Sequence, residues 1–215
     1  PGPCKNFDER CNKTRRRRHY YGESRVGIPQ KEGAVMTITQ LVTEAQQGSR
    51  AAFGELYEHI AADLYRMALY TLGNQADAED AVADTFAEAW KGIKNLREPE
   101  AFRSWMFRIL SARCKRQIGR IVARKNEIDL DSYYETAEEA IPENATRRAE
   151  LREALASLAA EERQIVLLSV LEGYTMREIA GMLGLPQGTV SSKLSRSLHK
   201  LRKFLQEPDG KEGLS

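Results

Sequence analysis

The chain has 215 residues, with 33 Lys or Arg, 31 Asp or Glu and a hydrophobic content of 41%. This length and composition predict a soluble globular protein with one large domain or two small ones. No run approaches the ~20 apolar residues of a membrane span, and the N-terminus lacks the apolar core of a signal peptide, so we expect no membrane insertion and a cytoplasmic location. The three cysteines show no zinc-type spacing, so we expect no metal site and no cofactor.

The charge is unevenly distributed along the chain. Residues 1–35 hold nine Lys or Arg and four Asp or Glu, whereas the other 180 residues hold 24 and 27. Nucleic-acid binding must therefore come from local patches. We expect 1–35 to be a disordered basic tail, either an arm that touches nucleic acid or, as we favour, a solvated tail or translated upstream sequence, since the first patterned segment begins at Met36.

Two helices are predicted first, one over 38–47 with Thr37 as its N-cap, and a long one that begins after Ser49 and ends at Gly73-Asn74. Apolar residues three and four apart make the second helix amphipathic. The residues expected in its core are Phe53, Leu56, Tyr57, Ile60, Leu64, Met67, Ala68 and Leu72.

The next predicted helix, over 76–93, has a buried stripe and a strongly acidic N-terminal half. The stripe consists of Val82, Phe86, Ala89, Trp90 and Ile93. The acids are Asp77, Glu79, Asp80, Asp84 and Glu88. Acids near a helix N-terminus interact favourably with the helix dipole, so these residues could simply stabilise the helix. Five acids exceed that need, so an acidic docking surface for a basic partner is the alternative.

After a loop over 94–100, Pro99 helps to start a basic helix that reaches about residue 124. Its apolar face consists of Phe102, Trp105, Met106, Ile109 and Leu110. The cations that follow with no acid between them are Arg103, Arg108, Arg113, Lys115, Arg116, Arg120, Arg124 and Lys125. Such a series favours nucleic-acid contact over a merely solvated basic face. Phe102 and Trp105 either stack on unpaired bases or belong to the core.

The segment 127–144 carries seven acids and no base, which predicts a flexible linker between two helical domains. Helices are then predicted over 145–157 and 159–171. The core residues expected in the second of these are Ile165, Val166, Leu168 and Val170. Residues 208–215 are expected to be a frayed tail.

Residues 174–201 predict a helix-turn-helix. Thr175 and Glu178 have the spacing of a capping box, Gly184 ends the first helix in a left-handed conformation, and Pro186 opens the second. The core residues expected in the second helix are Val190, Leu194, Leu198, Leu201 and Leu205. From residue 187 to 206 there are five Lys or Arg and no acid, which suits entry into a major groove.

Three segments together resemble the extracytoplasmic-function (ECF) sigma factors of the sigma-70 family. The segment AFGELYEHIAADLYRMALYTLGNQADAEDAVADTFAEAWKGI resembles the start of region 2, EAFRSWMFRIL its promoter-melting helix, and LAAEERQIVLLSVLEGYTMREIAGMLGLPQGTVSSKLSRSLHKLR region 4. The resemblance implies an all-α chain with a region 2 bundle over 36–125, an acidic linker over 126–144 and region 4 over 145–207.

The resemblance also implies partners and site residues. In this family, one acidic helix docks on the clamp helices of the largest subunit of RNA polymerase. The residues that match its acids are Asp77, Glu79, Asp80 and Asp84. A loop of the family captures a flipped base of the −10 element, and the residues that match this loop are Asn95, Leu96 and Arg97. The residues that match the helix contacting the −10 non-template strand are Phe102, Arg103, Trp105 and Arg108. The residues that match the −35 reading helix are Gln187, Gly188, Thr189, Ser191, Ser192, Lys193, Ser195 and Arg196.

Further partners implied are the polymerase flap, promoter DNA and an anti-sigma factor. The chain departs from the family pattern at Ser191, where Lys or Arg is common, and at Lys193, where Arg is common. Because these changes remove bidentate guanidinium groups, promoter preference does not carry over. The alternatives are a stand-alone helix-turn-helix regulator and a nucleic-acid-processing enzyme. The acids lack a His partner for a metal and no nucleophile has a base beside it, so we expect no catalysis.

Overall fold

A computed structural model describes residues 36–125 and 145–206 of the chain. Within these two ranges every regular element is helical, which confirms the all-α prediction. The predictions of a basic N-terminal tail, an acidic linker and a C-terminal tail lie outside the described residues. Among the described residues, no helix has the length and apolarity that crossing a membrane requires.

The N-terminal unit, residues 36–125, contains four α-helices. They are α1 (Ile38–Gln46), α2 (Arg50–Leu72), α3 (Gln75–Gly92) and α4 (Phe102–Lys125). Thr37 and Gln40 form a capping box at the start of α1, and the Ser49 hydroxyl accepts from the Ala52 amide at the start of α2. Gly73 ends α2 with a φ of 76°, a conformation that L side chains rarely adopt. The Asn74 side chain then caps α3, so adjacent residues end one helix and begin the next.

Two short 3₁₀ turns, Ile93–Asn95 and Pro99–Ala101, lie between α3 and α4. The predicted loop over 94–100 is therefore partly helical. Pro99 stands at the first position of the second turn, where its missing N–H costs little. The turn leads directly into α4 and so fixes where that helix begins.

The C-terminal unit, residues 145–206, also contains four α-helices. They are α5 (Ala145–Ala156), α6 (Ala160–Val166), α7 (Met176–Leu183) and α8 (Gln187–Gln206). The single helix predicted over 159–171 is wrong in its last turn, because residues Leu167–Leu171 wind as a π-helix. The Glu172 amide donates to the Leu167 carbonyl across that wider turn. The extra residue per turn leaves Val170 66% exposed, although the helical period predicted its burial.

Three other predictions of burial are wrong, because a helical period identifies an apolar face but not what covers it. Tyr57, Trp90 and Leu205 are exposed. Conversely, Phe107 was not assigned to the core of α4 and is fully buried there. The core continues through both units, and α2 and α4 pack against α5, α6 and α7. The two helical units are therefore in contact, although the sequence suggested two separated domains.

Candidate nucleic-acid and protein interfaces

The acids of α3 form one surface on the N-terminal unit. Glu79, Asp80 and Asp84 are exposed, and Asp77 is partly buried. The Asp77 amide donates to the Asn74 side chain, so the cap and the acidic face share one turn. The interior side of the helix is fixed by Ala78, Ala81 and Val82, which are buried. Three of the four predicted docking acids therefore face solvent on a helix that the core holds in place, and the fourth, Asp77, is partly buried.

Residues of α4 brace this acidic surface. Arg113 donates to Asp84 at 2.9 Å and to Glu88 at 2.5 Å, and the Gln117 amide donates to Asp77 at 2.6 Å. The predicted surplus of cations on α4 is thus partly neutralised by carboxylates of α3. This pairing was not predicted, since the two partners lie 25 to 40 residues apart in the sequence.

An open groove of ≈ 440 Å³ runs between α2 and α3 beside the acidic surface. Tyr57, Tyr65 and Phe86 line it together with Glu79. The Tyr57 and Phe86 rings lie 4.6 Å apart, and Phe53 meets Trp90 edge-on at 5.0 Å. Tyr57 is exposed in this groove, although periodicity alone had assigned it to the core, whereas Phe86 is buried as predicted. An exposed aromatic ring beside a carboxylate suits a protein partner.

The turn predicted to capture a base is held by a residue that sequence reasoning missed. Gln46, at the end of α1, donates from its side-chain amide to the Ile93 carbonyl at 3.0 Å and to the Leu96 carbonyl at 2.7 Å. Asn95 and Arg97 remain exposed on either side of the half-buried Leu96. The backbone of the turn is therefore fixed while its two polar side chains face solvent.

The four predicted −10 residues of α4 are placed in different environments. Phe102 is 2% exposed and packs in the core, so its ring is not accessible to DNA in this conformation. Trp105 lies against Gly92, where an added Cβ would come within 3.3 Å of the indole ring. Arg108 is exposed. Only Arg108, Trp105 and Arg103 present side-chain surface, and Arg103 is engaged elsewhere in the protein.

Arg103 belongs to a charged cluster between the two units. Its Nη2 lies 2.6 Å from an Asp63 oxygen and 2.5 Å from an oxygen of Glu172, which follows the π-helical turn. The Nη2 atom of Arg66 lies 2.7 Å from the other Asp63 carboxylate oxygen. Burial alone would lower the pKa of Arg103, but its contacts with Asp63 and Glu172 outweigh burial and raise it. Burial raises the pKa of the Glu172 carboxyl, and the charge of Arg103 offsets only part of this effect.

The predicted −35 residues lie on the first half of α8, and none of them is buried. Val190 and Leu194 anchor that half in the core, which turns the opposite face outward. Thr175 and Glu178 form the predicted capping box of α7, and Gly184 ends that helix with a φ of 67°. The helix-turn-helix prediction is therefore confirmed in its local geometry. The residues on the outward part of α8 are Gln187, Gly188, Thr189, Ser191, Ser192, Lys193, Ser195 and Arg196.

Acids of α6 pair with cations of α8. Lys193 lies 2.9 Å from Glu161, and Lys200 lies 3.3 Å from Glu162. Glu162 also accepts from the Ala159 amide at 3.2 Å. Although desolvation alone would raise the pKa of Glu162, these contacts lower it. Lys193 is thus oriented by its own chain, whereas Arg196 donates only to the Ser192 carbonyl of the preceding turn among the contacts described.

Two family models match the chain: sigma-70 region 2 matches residues 56–123 and sigma-70 region 4 matches residues 148–201. Among curated proteins, the ECF RNA polymerase sigma factor SigL of Mycobacterium tuberculosis is 33% identical over 171 residues, which cover 77% of this chain and 96% of SigL. SigE of Mycolicibacterium smegmatis is 34% identical over 166 residues, which cover 74% of this chain. This chain spans only 63% of the length of that SigE.

Two solved structures share the fold. CnrH, in complex with the cytosolic domain of CnrY, gives a TM-score of 0.59 at 26% identity, and the match covers 78% of this chain and 96% of CnrH. RpoE of Bartonella quintana, in complex with the anti-sigma factor NepR, also gives a TM-score of 0.59 at 22% identity, covering 73% of this chain and 98% of RpoE. The second likeness concerns the fold alone.

Proposed function

Because this chain belongs to the ECF sigma factors of the sigma-70 family, we propose that it directs bacterial RNA polymerase to a specific set of promoters. The observation that carries the proposal is the match of two family models, in order, to the two helical units. We assign region 2 to residues 36–125, a linker to 126–144 and region 4 to 145–207.

The acidic surface of α3 is proposed to dock on the clamp helices of the polymerase largest subunit, and region 4 on the polymerase flap. Asp80 and Glu79 are exposed and adjacent on α3, which supports a direct contact with cations of the clamp. Asp77 and Asp84 already interact with side chains of α4, so they orient the surface as well as contributing charge. The aromatic groove beside Glu79 adds apolar area to the same side of the unit.

Promoter DNA is proposed to contact two other surfaces. The exposed face of α8 is proposed to enter the major groove of the −35 element, and Gln187 and Arg196 are among the exposed residues of that face. Asn95 and Arg97 of the braced turn, with Arg103, Trp105 and Arg108 of α4, bind the opened −10 strand. Each base stacked on an aromatic ring gives ~1–3 kcal/mol, which offsets the few kcal/mol needed to unstack a flipped base.

Control by an anti-sigma factor completes the proposal. The likeness to CnrH, solved with the cytosolic domain of CnrY, supports a protein inhibitor of this kind. The protein is proposed to act in the cytoplasm, where the polymerase works, and to have no catalytic activity or cofactor of its own. Its contribution to initiation is binding energy alone.

Run-off transcription tests the proposal directly. Purified bacterial core polymerase is incubated with a pool of promoter fragments, with and without this protein. We expect transcripts only when the protein is present, and their upstream sequences would give the −35 and −10 preferences. The matched negative control is the same chain carrying Asp80→Arg.

The same fragments distinguish the alternative function. If the protein shifts duplex fragments on a gel without polymerase and yields no transcript with it, the stand-alone regulator is correct. If neither transcripts nor shifts appear, the assay is repeated from Met36 so that residues 1–35 do not interfere.

A further inference from the structure

The turn assigned above to −10 base capture is fastened by a side chain from another helix. Gln46, the last residue of α1, donates from Nε2 to the Ile93 carbonyl at 3.0 Å and to the Leu96 carbonyl at 2.7 Å. Because a primary amide carries two N–H groups, one nitrogen serves both carbonyls. The two bonds span the 3₁₀ turn from its first residue to the residue that follows it.

The turn is also anchored by its own apolar side chains. Ile93 is buried, and the half-buried Leu96 packs against the core. The Leu96 amide donates to the Ile93 carbonyl at 3.1 Å, so that this carbonyl accepts two hydrogen bonds. Asn95 lies between the two anchors and Arg97 directly after them, and both are exposed. The side chains proposed to meet DNA therefore stand within one residue of a carbonyl that Gln46 holds.

The position of Gln46 is itself fixed by the packing of α1. Leu41, Val42 and Ala45 bury one face of that helix, and only residues 47–49 separate it from α2. Helix α1 packs against both 3₁₀ turns that lie between α3 and α4. The helix is therefore a support held by the core, and the partly buried Gln46 connects its end to the nearer turn.

We propose that Gln46 is a positioning residue for promoter opening: its side-chain amide holds the turn in the conformation in which Asn95 and Arg97 meet an unpaired base of the −10 element. This rests on the proposed function, since it assumes that the turn captures that base. Gln46 itself does not touch DNA. Without the brace the turn samples other conformations, and the apparent affinity for the base falls with the fraction of the competent one.

The chemistry of the brace predicts the effect of two substitutions of similar size. Gln46→Met keeps the length of the side chain but supplies no donor, so both carbonyls lose a hydrogen bond. Gln46→Glu keeps the shape, but at neutral pH its carboxylate is acceptor-only and cannot donate to a carbonyl oxygen. We expect both variants to loosen the turn, and Glu at least as strongly as Met because it adds repulsion between oxygens.

Hydrogen exchange in the free full-length chain tests the brace without any activity. Gln46→Met is expected to speed exchange of the Leu96 amide about tenfold, a factor typical of losing one or two net hydrogen bonds. Gln47→Met changes the neighbouring, exposed glutamine in the same way and should leave this exchange unchanged. Native exchange at Leu64, which is buried in α2, shows that the variant is folded. A folded Gln46→Met variant with native exchange at Leu96 would overturn the brace.

Promoter opening tests the consequence. Holoenzyme is assembled from purified bacterial core polymerase and this protein, on a promoter fragment selected by the run-off assay. Permanganate oxidation of unpaired −10 thymines follows opening with time. Gln46→Met is expected to slow opening about tenfold and to leave binding to core polymerase and to the closed duplex unchanged. An equal loss at all three steps would indicate general destabilisation and contradict a positioning role. If Gln46→Met does not fold, Gln46→Glu takes its place.

A double-mutant cycle connects the brace to base capture. In a chain that already carries Asn95→Ala and Arg97→Ala, Gln46→Met should slow opening by less than about twofold, because the side chains it positions are gone. Equal slowing in the two backgrounds, or native opening rates in Gln46→Met alone, would overturn the inference while transcription by the native chain leaves the proposed function standing. Absence of transcripts from the native chain would instead overturn the proposed function, and this role of Gln46 with it.

Discussion

Arg113 of α4 holds Asp84 of α3 through a hydrogen bond of 2.9 Å, so a residue of the basic helix braces the acidic surface. The two helices of opposite charge are also neighbours in the bundle. Asp80, by contrast, is exposed on that surface, and no contact of its side chain is described. The two acids therefore allow docking to be tested separately from bracing.

Asp80→Arg is expected to weaken binding to core polymerase by at least roughly 30-fold, since reversing a charge at a complementary contact costs about 2 kcal/mol or more. The fold should be unaffected, because Asp80 is exposed. Binding is measured by pull-down and by titration with labelled core enzyme. Glu150→Arg, at an exposed position of α5, is the charge-matched control. Normal capture of core polymerase by the Asp80 variant would contradict the docking assignment.

Arg113→Ala is expected to lower the free energy of unfolding by less than about 1 kcal/mol, because both carboxylate partners are largely solvent-exposed. Leu110→Ala, one turn earlier and fully buried, should cost roughly 2–5 kcal/mol. Urea unfolding followed by circular dichroism compares the two. Equal losses would mean that the ion pairs, and not the core, hold α3 against α4.

Arg196→Ala is expected to weaken holoenzyme binding to promoter duplexes to a similar extent across sequences and to reduce the salt slope by about one. The reason is that Arg196 is exposed on the face of α8 proposed to meet DNA. Fluorescence anisotropy at several salt concentrations measures the slope. Arg202→Ala, also exposed but one to two turns further along α8, should change it little. An unchanged slope in the Arg196 variant would remove this residue from the DNA surface.

The contact between units is expected to weaken as pH rises. Burial raises the pKa of Glu172 above its ordinary value of 4.5; Arg103 and Arg66 oppose the shift, and Asp63 adds to it. The chain with its two units in contact therefore binds a proton more readily than a chain with the units apart, in which Glu172 would meet water. Protonation of Glu172 therefore favours the contact between units fully below pH 4.5, and this contribution is lost as the pH rises through the raised pKa.

Fluorescence energy transfer between dyes on Lys91→Cys of α3 and Arg202→Cys of α8, both exposed positions, measures this dependence when it is recorded from pH 4.5 upward. Glu172→Gln keeps an oxygen that accepts from Arg103 but does not titrate, so its efficiency should stay constant where the native chain's falls. A parallel fall in both proteins would assign the effect to another group.

Local features of this fold were predictable from the sequence because their partners lie within a few residues. Thr175 and Glu178 form the expected capping box, and Gly184 adopts the expected positive φ. Within 36–125 and 145–206, the spacing of apolar residues predicted the α-helices, but it did not predict the π-helical turn at Leu167–Leu171 or the two 3₁₀ turns between α3 and α4. The family resemblance likewise depended on segments that are continuous in the chain.

Only the tertiary structure decided what covers each face. The period of α2 and α3 placed Tyr57 and Trp90 with the core, yet both are exposed. Arg103 and Glu172 are 69 residues apart, and no local sequence pattern around either residue predicts their pairing. A sequence specifies which face of a helix is apolar or charged through the 3.6-residue period. Which face meets which depends on how the helices pack, and that packing brought a proposed DNA contact against a carboxylate of the other unit.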